Sequence, residues 1–326
     1  MRNSAQALVL LIGVAFAAVA VAQSTATGFP VRPIRFIVPN AAGGTTDLVA
    51  RAVGQKLAEG LGQQVVVDNR PGSGGIIGTE AVAKAAPDGY TLLMGTIGNI
   101  AISPHLYRKL AYDPVRDFAP ITQLAAAAYM LVTHPLLPVA SVKQLVALAK
   151  AKPGHINYGS AGSGTGSHLS AELFKSISAI DITHIPYKGG TPALIDVMAG
   201  HVQVMFNGIP SSLPHLKTGR IKALAVTTSK RSPAAPDTPT IAEAGFPGAE
   251  STSWTGVLAP AGTPAAIISQ LHGEFARVLQ NPEVKTRLSA DGAVPVGSNP
   301  VEFAAYIRSE LAKWGNVVKA SGATAN

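Results

Sequence analysis

The chain has 326 residues, no cysteine, a formal charge of +8 and charged side chains at only 13% of positions. Without cysteine there are no disulfides, thiolate metal ligands or cysteine nucleophiles. The surplus of Lys and Arg points to an anionic partner. The basic residues are scattered, with no basic run and no interleaved aromatics, which argues against nucleic acid and leaves a small anion.

The first segment stands apart. Arg2 gives a weakly positive start, ALVLLIGVAFAAVAV (7–21) an apolar stretch, and Ala20-Val21-Ala22 a small-residue cleavage pattern before Gln23. This is the signature of a secretory signal peptide over residues 1–22. A retained membrane anchor is the alternative, but the run falls just short of the roughly 18 residues an anchor needs, and the polar QSTATG follows it. Export is therefore expected, as a soluble protein of two domains.

Apolar, β-rich runs then alternate with helical patterns. IRFIVP (34–39) leads to a helix over 46–60, QVVVDN (64–69) to one over 75–85, and YTLLMG (90–95) follows. This βαβαβ order predicts a parallel sheet covered by helices. A second series opens with AYMLVTH (128–134) and a helix that Ser141 caps. INYGSA (156–161), a helix over 166–178, ITHIPY (182–187), a helix over 191–199, VQVMFN (202–207) and IKALAVTT (221–228) complete it. After a strand near 252–258, helices are expected over 264–280, 282–290 and 300–320. These late helices need a sheet to cover, and the opening unit has too few helices to wrap itself. The second unit is thus expected to be inserted in the first. Residues 23–124 plus 250–326 form domain 1, and residues 125–249 form domain 2. Two crossings make a hinge with a cleft between the lobes.

Two loops stand out. Asn40-Ala41-Ala42-Gly43-Gly44-Thr45 leaves a strand end and opens a helix, where unpaired amides and a partial positive charge suit an anion. An ordinary turn capped by Thr is the plain alternative. YGSAGSGTGSH (158–168) repeats the arrangement in the inserted unit, with Ser160, Gly162, Ser163, Gly164 and Thr165 as compact donors and His168 just beyond. Loops facing each other from two lobes suit a ligand with an anionic group at each end, such as a dicarboxylate. His168 also fits a helix-face residue bonded locally, and Asp47 fits a carboxylate that steadies the first helix. Asn207 ends a strand of the inserted unit and is a candidate cleft residue, with Tyr187 to Gly190 beside it. Trp254 fits a hinge or core position.

Nucleotide and catalytic signatures are missing. No GxxxxGK, GxGxxG, GxSxG or HExxH occurs. RPGSGGIIG (70–78) reads as a tight strand-to-helix connection. No cofactor and no metal site is expected.

Several phrases together resemble the Bug-type receptors of tripartite tricarboxylate transporters. They are IRFIVPNAAGGTTDLVAR, VVVDNRPGSGGIIGTEAVAKAAPDGYTLLMGT, SPHLYRKLAYDPVRDFAPIT, INYGSAGSGTGSHLSAELF, HIPYKGGTPALIDVMAGHVQVMF and GVLAPAGTP. The resemblance runs from about Phe29 to the C-terminus. It implies an α/β, two-lobed periplasmic-binding-protein fold (type II-like, a Venus flytrap) with two crossing strands. It also implies capture of small carboxylates through two opposing loops, here Asn40 to Thr45 and Ser160 to Thr165. This chain departs from the family at Asn40-Ala41-Ala42, where a run such as Pro-Gly-Gly-Gly is usual, and at Gly98 and Asn99, near a place often held by His.

The expected function is binding without turnover: a periplasmic receptor, working as a monomer, that closes on a carboxylate and presents it to membrane permease subunits. Aliphatic, aromatic, citrate-like and amino-acid carboxylates all fit, because backbone donors read the carboxylate and not the body between. Handing the closed form to a sensor kinase is the alternative, with a secreted enzyme on the same fold further behind.

Overall fold

The computed structural model describes residues 28–43, 45–290 and 293–322, so the signal-peptide segment and Gly44 lie outside the described residues. The opening unit is β1 (Ile34–Val38), α1 (Thr45–Leu61), β2 (Val65–Asn69), α2 (Ile76–Ala83) and β3 (Thr91–Thr96). β1 pairs in parallel with both β2 and β3. A π-helical turn, Ile97–Ile102, and the short α3 (Ser103–Leu106) follow directly.

β4 (Phe118–Thr133) is 16 residues long and belongs to both sheets. Its first part pairs antiparallel with β9 (Thr252–Pro260), as far as Ala128 opposite Thr252. From Tyr129 onward it pairs with β7 (Val204–Gly208), and from Met130 with β8 (Lys222–Val226). The second sheet is completed by β5 (Asn157–Ser160), parallel to both β7 and β6 (Thr183–Pro186). Its helices are α4 (Val142–Ala151), α5 (Gly166–Ser178), α6 (Gly190–Ala199) and α7 (Ile209–Lys217). The chain then returns along β9 and ends with α8 (Ala265–Gln280), α9 (Pro282–Ala290), β10 (Ala293–Pro295) and α10 (Pro300–Ser321).

The sequence reading misses four features here. β4 begins ten residues earlier than the AYMLVTH run, α7 forms across Pro210 and Pro214, and neither β10 nor the π-turn was expected. Pro214 sits within α7, where the lost amide and ring clash normally break a helix.

Each lobe is a sheet between helical layers. On one face of the first sheet, Phe36, Val53, Leu57, Phe275 and Leu288 form a core joining β1, α1, α8 and α9. On the other face, Ile97, Trp254, Phe303 and Trp314 pack with Leu169 and Leu173. The last two belong to α5, so that helix of the second lobe rests on a core of the first. Glu310 is buried between Trp254 and Trp314 and accepts both indole N–H groups at 3.0 Å. Trp254 is thus a core residue on β9, the strand by which the chain returns to the first sheet. The caps follow local rules. Ser141 Oγ accepts the Gln144 amide at the start of α4. Asn299 and Glu302 exchange reciprocal bonds around Pro300 at the start of α10. Among the described residues, no helix is long and apolar enough to cross a membrane.

Candidate functional site

The first loop is exposed at Ala41, Ala42 and Gly43, and Gly43 has φ +80° with open space around it. Its amide is not free: it donates to Asp47 Oδ2 at 2.9 Å. Asp47, only 2% exposed, also accepts from Arg51 Nε at 3.0 Å and from Asn69 Nδ2 at 3.0 Å. Burial alone would raise this carboxyl, but the bonds from Arg51, Gly43 and Asn69 outweigh it and hold the group below the usual carboxylate range. Asn69 also donates to the Asn40 carbonyl at 3.0 Å, while Asn40 Oδ1 is buried with no partner among the described residues. Thr45 is the first residue of α1. The amides of Thr46 and Asp47 have no acceptor among the described residues. Beneath this turn lies a cavity of about 20 Å³ lined by Thr46, Val49, Ala125, Ser253 and Thr255. That volume admits one water molecule.

The second loop ties most of its donors to itself. Ala161 donates to Ser167 Oγ at 2.9 Å, Gly162 to Ser160 Oγ at 3.1 Å, and Gly164 to His168 Nδ1 at 3.2 Å. The Thr165 amide and hydroxyl both go to the Gly162 carbonyl. What remains is one loop amide, Ser163, and the helix start: the amides of Ser163, Gly166, Ser167 and His168 have no acceptor among the described residues. Gly166, Ser167 and His168 are buried. Buried amides at a helix start need a partner, and the dipole makes an anion the favoured one.

A stack of rings lies behind the loop. His168 and His184 are parallel, with centroids 4.0 Å apart, and Tyr158 covers His184 at 4.8 Å. Ser160 Oγ lies 2.6 Å from His184 Nε2. Tyr158 donates to Glu172 Oε1 at 2.5 Å, and Lys175 bonds the same oxygen at 2.9 Å. Burial pushes His168 down to about 4, with Lys175 adding to the effect. Burial and the neighbouring His168 push His184 down to about 3.

Other expected residues are placed as follows. Asn99 is fully buried and bonded at both ends of its amide: Oδ1 accepts from the Thr96 amide and hydroxyl at 2.7 Å, and Nδ2 donates to Thr79 at 2.6 Å. Its side chain shapes the π-turn. Asn207 donates to Ser211 and Ser212 at 2.9 and 3.0 Å, and its Oδ1 lies beside Gly190 at the start of α6.

The structure also adds a wall that the sequence reading set aside. In RPGSGG, Gly72, Ser73, Gly74 and Gly75 all have positive φ. A Cβ on Gly74 would stand 3.7 Å from the Ser163 carbonyl, and one on Gly75 would touch Pro39 and Asn99. Across from it, a Cβ on Gly98 would stand 3.5 Å from the Gly164 carbonyl. Backbone from the first lobe thus approaches the second loop with almost no side chain between. The run of glycines was the available signal.

Residues 49–323 match the model of the tripartite tricarboxylate transporter family receptor. The structure of R. palustris Rpa4515 with adipate superposes with a TM-score of 0.86 at 40% identity, covering 91% of this chain and 99% of that one. MatC from Rhodopseudomonas palustris with bound malate gives 0.83 at 36% identity, over 89% and 100%. The periplasmic binding protein BugD gives 0.84 at 34%, over 91% and 99%. The chain therefore belongs to the tripartite tricarboxylate transporter family receptors, as a Bug-type solute-binding protein of the periplasmic-binding-protein fold and not an enzyme.

Proposed function

We propose that this receptor captures a small dicarboxylate between the starts of α1 and α5 and delivers it to the membrane subunits of a tripartite transporter. The observation that carries the reading is the buried start of α5, where the amides of Gly166, Ser167 and His168 lack acceptors among the described residues. One carboxylate sits there. The other sits at the start of α1, on the amides of Thr46 and Asp47. Two neutral seats read two carboxylates without an arginine, and the adipate and malate bound to relatives at 40% and 36% identity support two acid groups.

In this reading the division falls at 124/125 and 249/250, export precedes cleavage after Ala22, and the protein works in the periplasm as a monomer. Ligand-driven closure requires contacts made only in the closed state. The loop around Gly164 supplies them against the RPGSGG wall. The closed form is what the permease recognises.

The test is a thermal-shift panel on residues 23–326, unfolded and refolded to strip carried ligand. Mono-, di- and tricarboxylates are compared with phosphate and amino-acid controls. A ligand at 100 times its dissociation constant adds about 2.7 kcal/mol. A shift confined to dicarboxylates, and lost in Gly164→Val, is the expected result. Response to phosphate alone would sink the carboxylate reading.

A further inference from the structure

The second seat is a glycine loop, and glycine-rich backbone is costly to hold in one shape. Gly162 and Gly164 both have positive φ, at +129° and +78°. Something must hold the loop so that its own amides do not compete for the ligand. We propose that His168 and His184 are the positioning residues of this seat: a stacked pair of neutral imidazoles in opposite tautomers, whose lone pairs fasten the loop and leave the α5 amides free. The proposal rests on the reading of the α5 start as a carboxylate seat.

The tautomers follow from hydrogen counting. Gly164 N–H donates to His168 Nδ1, so that ring carries its proton on Nε2. Ser160 Oγ has two partners, the Gly162 amide and His184 Nε2. Of these two partners only His184 Nε2 can accept the Ser160 hydroxyl hydrogen, so we assign that hydrogen to His184, which then carries its proton on Nδ1. Protonating either ring would remove an acceptor from the loop and place a cation against the other ring, 4.0 Å away.

Burial favours the neutral state of the stack, and Lys175 adds to it. Glu172 is the carboxylate on this side, and it is already engaged by the Tyr158 hydroxyl and Lys175. Lys175 itself stands 5.8 Å over the Tyr158 ring. Glu172 still draws His184 toward the charged form, but burial and the neighbouring His168 outweigh it, leaving depressed values near 4 for His168 and 3 for His184. Those values lie well below the neutral range. The pair therefore acts as a brace across working conditions and not as a proton switch.

Three measurements test it. In the intact wild-type protein, imidazole ¹⁵N NMR should find both rings neutral down to about pH 5, His168 as the Nε2–H form and His184 as the Nδ1–H form. In ligand-free protein, His168→Phe keeps an aromatic ring but removes the acceptor, and Gly164 amide exchange should accelerate about tenfold, the worth of one hydrogen bond. His168→Asn keeps an acceptor near the Nδ1 position and should restore slow exchange; His184→Gln should do the same relative to His184→Phe. Adipate and malate affinities should follow, with about a tenfold loss in the Phe variants and recovery in the amide ones.

A ring that titrates near 6.5, or equal exchange at Gly164 in the Phe and Asn variants, overturns the brace. The titration needs no variant, so a Phe substitution that fails to fold does not protect the idea. If wild-type protein binds neither adipate nor malate, the dicarboxylate reading fails, and the exchange data judge the brace by itself.

Discussion

Gly166 lies directly on the Tyr129 hydroxyl: a Cβ at position 166 would stand 2.0 Å from Tyr129 Oη and 3.0 Å from Ile97 Cγ2. Three elements meet at this point. They are the start of α5, the crossing strand β4 and the π-turn that follows β3. Because Tyr129 is 8% exposed, its ring has little room to retreat. Gly166→Ala should therefore cost about 1–3 kcal/mol in urea denaturation. Tyr129→Phe removes the closest atom, so the double variant should recover part of that loss. Additive costs in the double-mutant cycle would show that the two positions do not touch.

Asp47 fastens the first loop. Asp47→Ala frees the Gly43 amide and strips partners from Arg51 and Asn69, and should cost about 1–3 kcal/mol. The sign with pH follows from its depressed value: the carboxylate's contribution is complete above the ordinary Asp range near 4 and is lost as pH falls below it. Asp47→Asn should lack that part of the acid limb when stability is followed between pH 5 and 2.

Glu310 serves two buried indoles, and its removal leaves both N–H groups without an acceptor. Glu310→Ala should cost roughly 2–4 kcal/mol, read from urea denaturation followed by tryptophan fluorescence. Glu310→Gln keeps a carbonyl oxygen in place and should cost less. Equal losses in the two variants would mean that the charge, and not the acceptor, matters here.

The two histidines make stability depend on pH. Their folded values lie near 4 and 3, below the ordinary 6.5 of an unfolded chain. The folded state then binds fewer protons, so the contribution is complete above about 6.5 and is lost as pH falls toward 4. For His168, 5% exposed, the span is on the order of 3 kcal/mol at most. Denaturation midpoints should fall steadily over this window in the wild type and much less in a variant carrying both His168→Asn and His184→Gln. Parallel curves would contradict the depressed values.

Much of the fold was legible because it is written at short range. Alternating apolar runs marked β1, β5 and β7, and the helix expected over 166–178 has the bounds of α5. Glycines after strand ends marked both loops. The remainder depended on distant partners. FAPITQLAAA carries a proline and an alanine run with little strand preference, and it becomes half of β4 only by pairing with β9. Asn99 stands near a place the family often gives to His, and only the fold shows Thr79 and Thr96 bonding its amide. Above all, His184 gave no local signal. The parallel register that sets Tyr158 opposite His184 brings it to Ser160, 24 positions away in sequence. Period and turn chemistry act between near neighbours and so can be read along the chain. Which imidazole meets which loop is decided by sheet register, which exists only once the strands have paired.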